Sequence, residues 1–298
     1  MFVNAIEKVT KFTRPFMSIY RVYGEKEVKP SCATFIIVNN DGWVLTCKHV
    51  AEQIVTSDRA NQQYSAFRSE LSTLSKSGKH YKSQVRDLEK KYNYVKNKNI
   101  LIQQQIRFMD VVDNSTGYQC FLHKNYDIAL IHFEGFNKVL CDEFPVFAKD
   151  SLGLKQGKSF CRLGYPYPEF NNFKYDESTD EIEWTDKGRN VTPLFPIDGI
   201  LTRFGADEKG NIYEIELSTP GLKGQSGGPL FDENGVVYGL QSRTLFQHLG
   251  FDIEEAEIVV NGKNKKIDNY PFMHLGRCVH INVIKAFMNE NGVKYQVG

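Results

Sequence analysis

Short β-rich segments recur along most of this 298-residue chain, and a single stretch with helical periodicity interrupts them. In "SCATFIIVNNDGWVLTCKHV" two such segments flank "NNDG", which is typical of a β-hairpin. Later segments, such as "YDIALIHFE", "NIYEIELS" and "GVVYGLQSRT", are separated by Gly, Pro, Asn and Asp turns. Many short strands with turns between them favour an all-β barrel or sandwich with additions.

The interruption lies between residues 50 and 98. Apolar residues recur there at spacings of mostly three and four, "SKSGK" breaks the pattern, and the spacing resumes at Tyr81. We therefore predict two amphipathic helices that pair with each other, forming a helical hairpin over about 52–98 that projects beside the strands. Its second helix is rich in lysine, which we interpret as a solvated face. The end, "NVIKAFMNENG", predicts a C-terminal helix over about 282–292.

Charge and composition exclude several classes of protein. The chain has 37 basic and 36 acidic residues, and a net charge of +1 gives no general argument for binding nucleic acid or an anionic membrane. The first 24 residues contain no uninterrupted apolar run for a signal peptide, and no later segment approaches the roughly 18 apolar residues of a membrane span. Six scattered cysteines without metal-ligand spacing predict no metal, no cofactor and reduced thiols in a cytoplasmic protein.

Glycines surround one serine, Ser226, in "GLKGQSGGPL". A serine hydroxyl is a poor nucleophile unless a base removes its proton, a further group orients that base, and donors stabilise the oxyanion that forms. Glycines at 224, 227 and 228 permit backbone conformations that other residues avoid. We therefore expect the amides of Gly224 and Ser226 to converge as an oxyanion hole.

Two further residues meet the other requirements. Among seven histidines, His49 in "LTCKHVAE" alone follows a strand and opens a helix, so its backbone is held on both sides. Asp127 in "NYDIALI" stands directly before an apolar strand, where a partly buried carboxylate requires a partner such as a histidine N–H. Taken singly, His49 is more often a core or cap histidine and Asp127 more often a turn residue, and Ser226 has the alternative of a serine that caps a strand in a glycine-rich turn. Together they indicate a nucleophile, its base and an orienting acid.

"LTCKHV", "YDIALI" and "GQSGGPL", in this order, resemble the three signature blocks of trypsin-like (chymotrypsin-fold) serine peptidases. The layout is most similar to bacterial HtrA-like and other disulfide-free members, without a PDZ domain. With "RLGYP", "DGILTRF" and "NGVVYGLQS", the resemblance covers roughly 30–245. It implies two perpendicular six-stranded β-barrels, over about 17–135 and 140–282, with the site in the crevice between them.

The resemblance also implies residue roles. His49 would be the general base and acid, Asp127 its orienting group, Ser226 the nucleophile, and Gly224 the partner of Ser226 in the oxyanion hole. Peptide-bond hydrolysis would proceed through an acyl-enzyme.

Departures from the family pattern bear on activation and specificity. Gln225 replaces the aspartate that receives a new N-terminus in digestive members, so activation by N-terminal cleavage is not implied. Pro220 replaces the aspartate at the floor of trypsin's specificity pocket, so a preference for Arg or Lys is not implied. Ser242, Arg243 and Thr244 correspond to the pocket wall, and the branched Thr244 favours a small or medium apolar residue before the cleaved bond.

The sequence therefore predicts an intracellular serine endopeptidase acting on a protein or peptide substrate. The stretch 165–198 is polar and acidic, and we interpret it as a long surface loop. Control could come from a regulatory protein docking on the hairpin at 52–98, or from ordering of the loops at 165–190 and 219–225. The alternative is a non-catalytic module that keeps the fold and captures peptides in its cleft. A role in bacterial stress or anti-phage defence rests on family analogy alone.

Overall fold

Six antiparallel strands of the N-terminal half form an open half-barrel in the computed structural model, which describes residues 2–250, 253–260, 262–269 and 272–298. The strands are β1 Thr13–Val22, β2 Lys29–Ile37, β3 Trp43–Thr46, β4 Leu101–Phe108, β5 Gly117–Leu122 and β6 Ala129–Glu134. Their order is β4-β1-β2-β3-β6-β5, and within the described residues no backbone ladder joins β4 to β5. Side chains bridge this gap instead, because the rings of Phe108 and Tyr118 lie 5.4 Å apart.

The second half of the chain forms a closed barrel with the order β13-β8-β11-β12-β17-β14, in which β13 pairs back onto β14. The strands of this half are β7 Val146–Phe147, β8 Ser159–Gly164, β9 Phe173–Asp176, β10 Glu181–Trp184, β11 Phe195–Ala206, β12 Ile212–Leu217, β13 Pro229–Phe231, β14 Val236–His248, β15 Ile253–Val260, β16 Lys263–Asn269, β17 Phe272–His280 and β18 Gln296–Val297. The predicted all-β, two-barrel fold class is confirmed, with the difference that the first barrel stays open at one seam.

Four helices complete the described fold: α1 Val3–Thr10, α2 Lys48–Ser72, α3 Tyr81–Lys91 and α4 Ile281–Glu290. The first was not predicted, although it is amphipathic and buries Ala5 and Val9. It is followed by β1, which begins at Thr13, before the start expected for the first barrel. None of the described helices combines the length and apolar character needed to cross a membrane.

Helix α2 covers the β4 edge of the half-barrel. Strand β4 lies at the end of its sheet, where backbone groups lack a neighbouring strand. The Asn61 side chain accepts from the Gln104 amide at 2.9 Å and donates to the Gln104 carbonyl at 2.8 Å, and Ser57 donates to that carbonyl as well. The two helices do pair, since Phe67 of α2 and Leu88 of α3 share a small core and Lys91 pairs with Glu70. The structure corrects only the expectation that the hairpin projects, because α2 packs along the barrel. Helix α3 buries only Leu88.

The stretch predicted as a long surface loop contains the β9–β10 hairpin and a small core of its own. Phe170 and Ile182 are buried there against Met17 and Ile19 of the first barrel. Asp180, in the hairpin turn, accepts hydrogen bonds from three side chains: Arg21 of β1, Tyr64 of α2 and Tyr175 of β9. One carboxylate therefore links the helical insertion, the first barrel and the hairpin.

Replacing Asp180 with alanine is expected to lower the free energy of unfolding by about 2 kcal/mol, because the Arg21 side chain is only 5% exposed and would lose its carboxylate partner. Urea denaturation followed by circular dichroism measures this. Glu177→Ala is the matched control, since Glu177 pairs with Lys26 on the open surface and its loss should change little. Equal effects of the two substitutions would contradict the structural role of Asp180.

Candidate active site

His49 and Asp127 lie side by side because their strands are paired. In the β3–β6 ladder Thr46 stands opposite Ala129, so the residues just beyond these strand ends meet. His49 falls in the first turn of α2, where backbone N–H groups lack helical partners. Asp127 Oδ1 accepts the His49 amide at 3.0 Å, and the His49 ring Nδ1 lies 3.0 and 2.9 Å from the two carboxylate oxygens. The carboxylate thus fixes both the backbone and the ring of His49.

The Asp127 carboxylate is also held from the second barrel. Ser242 of β14 donates its hydroxyl to Asp127 Oδ2 at 2.5 Å. Burial raises the pKa of Asp127, but the hydrogen bond and charge of His49 and the Ser242 hydroxyl outweigh burial and lower the pKa to about 2. Asp127 is therefore ionised at neutral pH and presents a negative charge to the His49 ring.

Ser226 lies in the loop between β12 and β13, and both barrels hold this loop. The Thr34 amide donates to the Ser226 carbonyl at 2.9 Å, and the Gly227 amide donates to the Gln241 carbonyl at 2.8 Å. The Ser226 hydroxyl donates to the Ser242 carbonyl at 3.1 Å. Within residues 2–250, no hydrogen bond joins that hydroxyl to the His49 ring. Ser242 therefore contacts Asp127 through its side chain and Ser226 through its backbone.

The two amides predicted as an oxyanion hole are unengaged. Gly224 has φ +98°, and a Cβ at this position would overlap the Tyr165 carbonyl, so a side chain is excluded on both counts. In the part of the chain that the structure describes, neither the Gly224 amide nor the Ser226 amide donates to another group. Both remain able to donate to a bound oxygen.

Gln225, between these amides, is fully buried and hydrogen-bonded. Its side-chain oxygen accepts the Leu222 amide at 3.0 Å, and its side-chain nitrogen donates to the Phe195 carbonyl at 3.0 Å. Neutral bonds hold the loop, so this position requires no charged N-terminus as a partner.

The residues predicted to form the substrate pocket lie in two facing segments. Pro220 belongs to the loop that leads to Ser226, and Thr244 of β14 donates its hydroxyl to the Gly221 carbonyl across the gap at 2.5 Å. The Arg243 side chain does not face this gap, and it forms an ion pair with Glu214 at 3.0 Å. Ser242 was predicted only as a wall residue, and its hydrogen bond to Asp127 was missed. The signal was a polar Gln-Ser pair that follows the apolar first half of β14.

A surface cavity of about 540 Å³ borders the site and includes Asp127, Ser242 and Arg243 in its lining. Across the described residues, Cys47, His49 and Asp127 are the side chains grouped closely enough to hold a metal ion. However, burial raises the pKa of the Cys47 thiol well above its ordinary value, and the thiol donates to the Gln241 carbonyl at 3.0 Å. A protonated, hydrogen-bonded thiol is a poor ligand, so this group does not fit a metal site.

Replacing Ser242 with alanine is expected to lower the free energy of unfolding at pH 7 by about 1.5 kcal/mol, because the ionised Asp127 loses a donor. A depressed carboxyl pKa stabilises the fold above the unfolded value and loses that effect as the pH falls. The difference from wild type should therefore shrink between pH 3.8 and 2. Urea denaturation of both proteins across this pH range measures the difference. Ser72→Ala, at an exposed serine of α2, is the control. A difference that does not change with pH would contradict this role of Ser242.

The barrels and the serine loop between them define a serine endopeptidase. The sequence matches the family model described as "Trypsin-like peptidase domain" over residues 33–240, which is more than half of the chain. The protein therefore belongs to the trypsin-like peptidase family.

Solved structures of an HtrA-type protease are similar to this chain at low identity. "HtrA-type protease AlgW with decapeptide" is 12% identical, with 97% of this chain and 67% of that chain covered and a TM-score of 0.49. A variant of AlgW with a tripeptide is 12% identical, with 97% and 63% covered and a TM-score of 0.47. The chain thus spans about two thirds of the length of these structures. No curated protein matches the chain significantly.

Proposed function

We propose that this peptidase cleaves peptide bonds with Ser226 as nucleophile, His49 as general base and acid, and Asp127 as the group that orients His49. The observation that carries the proposal is the ionised Asp127 carboxylate, which accepts from the ring and the amide of His49 and from the Ser242 hydroxyl. Such an arrangement orients one imidazole tautomer and stabilises the imidazolium. The substrate we propose is a protein or peptide whose cleaved bond lies at Ser226.

The proposed reaction begins with a rotation of the Ser226 hydroxyl from the Ser242 carbonyl towards His49 Nε2. As Oγ attacks the carbonyl carbon, its proton passes to Nε2, and the carbonyl electron pair moves onto the oxygen facing the Gly224 and Ser226 amides. Collapse breaks the C–N bond, and His49 protonates the departing amine. Water then attacks the acyl carbon and gives a proton to His49. Collapse breaks the bond between that carbon and Ser226 Oγ, Oγ takes the proton back from His49, and the acid product leaves.

A fluorophosphonate probe tests this proposal directly. Labelling of the wild-type chain at Ser226, and its loss in Ser226→Ala and His49→Ala, is expected, because only an activated hydroxyl reacts with the probe. The contact of Ser226 with the Ser242 carbonyl favours one alternative, a non-catalytic peptide-binding module. Absence of labelling under all conditions, together with peptide capture that is equal in wild type and Ser226→Ala, would support that alternative.

The proposal extends to an intracellular setting and to control through the helical insertion. All six cysteines are free and five of them are buried, which suits a reducing compartment. On α2, Tyr64 and Arg68 bind Asp180 of the β9–β10 hairpin, so a regulatory protein bound to the insertion would act on that hairpin. Replacing 73–90 with a short Gly-Ser linker removes α3 but keeps α2. If this variant and the wild type are labelled at Ser226 to the same extent, both in buffer and in cell extract, regulation through the insertion is contradicted.

A further inference from the structure

Arg162 of β8 is a fully buried cation inside the closed barrel. Its Nη1 donates to the Gln241 side-chain oxygen at 2.7 Å, and its Nη2 donates to the carbonyl and hydroxyl oxygens of Thr219 at 3.0 and 2.5 Å. Its Nε has no partner. All these acceptors are neutral, and no carboxylate oxygen of the described residues forms an ion pair with it. Arg162 is therefore a buried charge that forms no direct ion pair, although the more distant Asp198 carboxylate attracts it.

Such a charge destabilises a fold. Removing a cation from water costs several kcal/mol unless an anion compensates it, and an apolar residue of similar volume is commonly neutral or stabilising. Burial accordingly lowers the pKa of Arg162. The surroundings nevertheless accommodate the guanidinium, because a Cβ on Gly276 would overlap its Nη1 and a Cβ on Gly221 would overlap the Gln241 amide. The packing around the cation thus depends on two glycines.

The guanidinium lies beside the serine loop. Thr219 begins the segment that leads through Gly221 to Ser226, and Gln241 directly precedes Ser242 on β14. Arg162 therefore contacts both segments that flank the entrance to the predicted substrate pocket. The hydrogen bond from Thr244 to the Gly221 carbonyl joins the two segments, and rotation of the Thr244 side chain would break it.

We propose that Arg162 selects substrates with a glutamate directly before the cleaved bond. The glutamate carboxylate would enter between the Gly221 and Thr244 segments and supply the missing negative charge. Glutamate is favoured over the shorter aspartate because the guanidinium is fully buried. This inference rests on the proposed function, and it replaces the expectation, drawn from Thr244 alone, of a small or medium apolar residue at this position.

Matched fluorogenic peptides that differ only in the residue before the cleaved bond test the proposal. For the wild type we expect kcat/KM to be about 100-fold higher with glutamate than with glutamine, which has the same shape but no charge. In Arg162→Met this ratio should fall to about one, and in Arg162→Lys a glutamate preference should persist. Arg86→Met, which removes an exposed arginine of α3, should keep the wild-type ratio. Equal rates for glutamate and glutamine in the wild type would overturn the proposal.

A binding experiment separates this inference from the proposed function. Peptides ending in glutamate or glutamine are titrated into Ser226→Ala, in which no hydrolysis is needed, and binding is followed by fluorescence anisotropy. At least about tenfold tighter binding of the glutamate peptide, lost when Arg162→Met is added, supports the inference even if Ser226 of the wild type takes no fluorophosphonate. Equal affinities overturn it even if Ser226 is labelled.

Discussion

Replacing Ser226 with alanine is expected to lower the rate of peptide hydrolysis by about 10⁵-fold without unfolding the protein. The hydroxyl is the proposed nucleophile, and its loss leaves only substrate binding and the oxyanion donors to act on the bond. The fold should be unaffected, since the single described hydrogen bond of this hydroxyl runs to the Ser242 carbonyl. Initial rates with a cleavable peptide, together with circular dichroism spectra, measure the two effects.

Ser218→Ala is the control for this substitution, because Ser218 is an exposed serine at the start of the same loop. Retention of substantial activity in Ser226→Ala would mean that another group attacks the peptide bond.

Asp127→Asn should lower the rate of peptide hydrolysis by about 10⁴-fold, since the amide no longer holds the productive imidazole tautomer.

Replacing Gly227 with alanine is expected to lower the free energy of unfolding by about 4 kcal/mol or more. Gly227 has φ +88°, and a Cβ there would overlap the Thr34 carbonyl and the Thr46 hydroxyl, both in the first barrel. A backbone oxygen cannot give way as a flexible side chain does, so the serine loop would separate from the first barrel. The urea concentration at the midpoint of unfolding and the extent of fluorophosphonate labelling of Ser226 should both fall.

Gly157→Ala isolates the contribution of backbone strain. Gly157 has φ +83°, close to that of Gly227, but a Cβ at this position would have no atom of the described residues within 4 Å. Its substitution should cost about 1 kcal/mol from the left-handed conformation alone. If both substitutions had the same cost, the contact between the serine loop and Thr34 would not be important for stability.

Local patterns explain which elements could be predicted. The helical insertion followed from apolar spacing, and the terminal helix from its periodicity and the glycine behind it. Helix α1 escaped because its eight residues make only about two turns, too few for helical periodicity to stand out, and β9 and β10 escaped because each is only four residues long. The edge that α2 covers could not be predicted, since it depends on which strand ends the sheet.

The candidate site shows the same division. His49, Asp127 and Ser226 stood in recognisable local patterns, whereas the Ser242 hydrogen bond to Asp127 depends on where β14 passes. Arg162 had one visible signal, an arginine within the apolar run "SFCRLG". The sequence alone did not explain this arginine, because its burial depends on the closed barrel that surrounds it.

The sequence by itself determined the strand-rich character of the chain, the helical insertion and the residues to which a triad is assigned, because propensity, periodicity and short motifs are local properties. Only the tertiary structure decided that Asp127 is held from both barrels, that α2 covers the barrel edge and that Arg162 lies buried without a direct ion pair among the described residues. Those features arise from strand register and barrel closure, which bring together residues far apart in the chain.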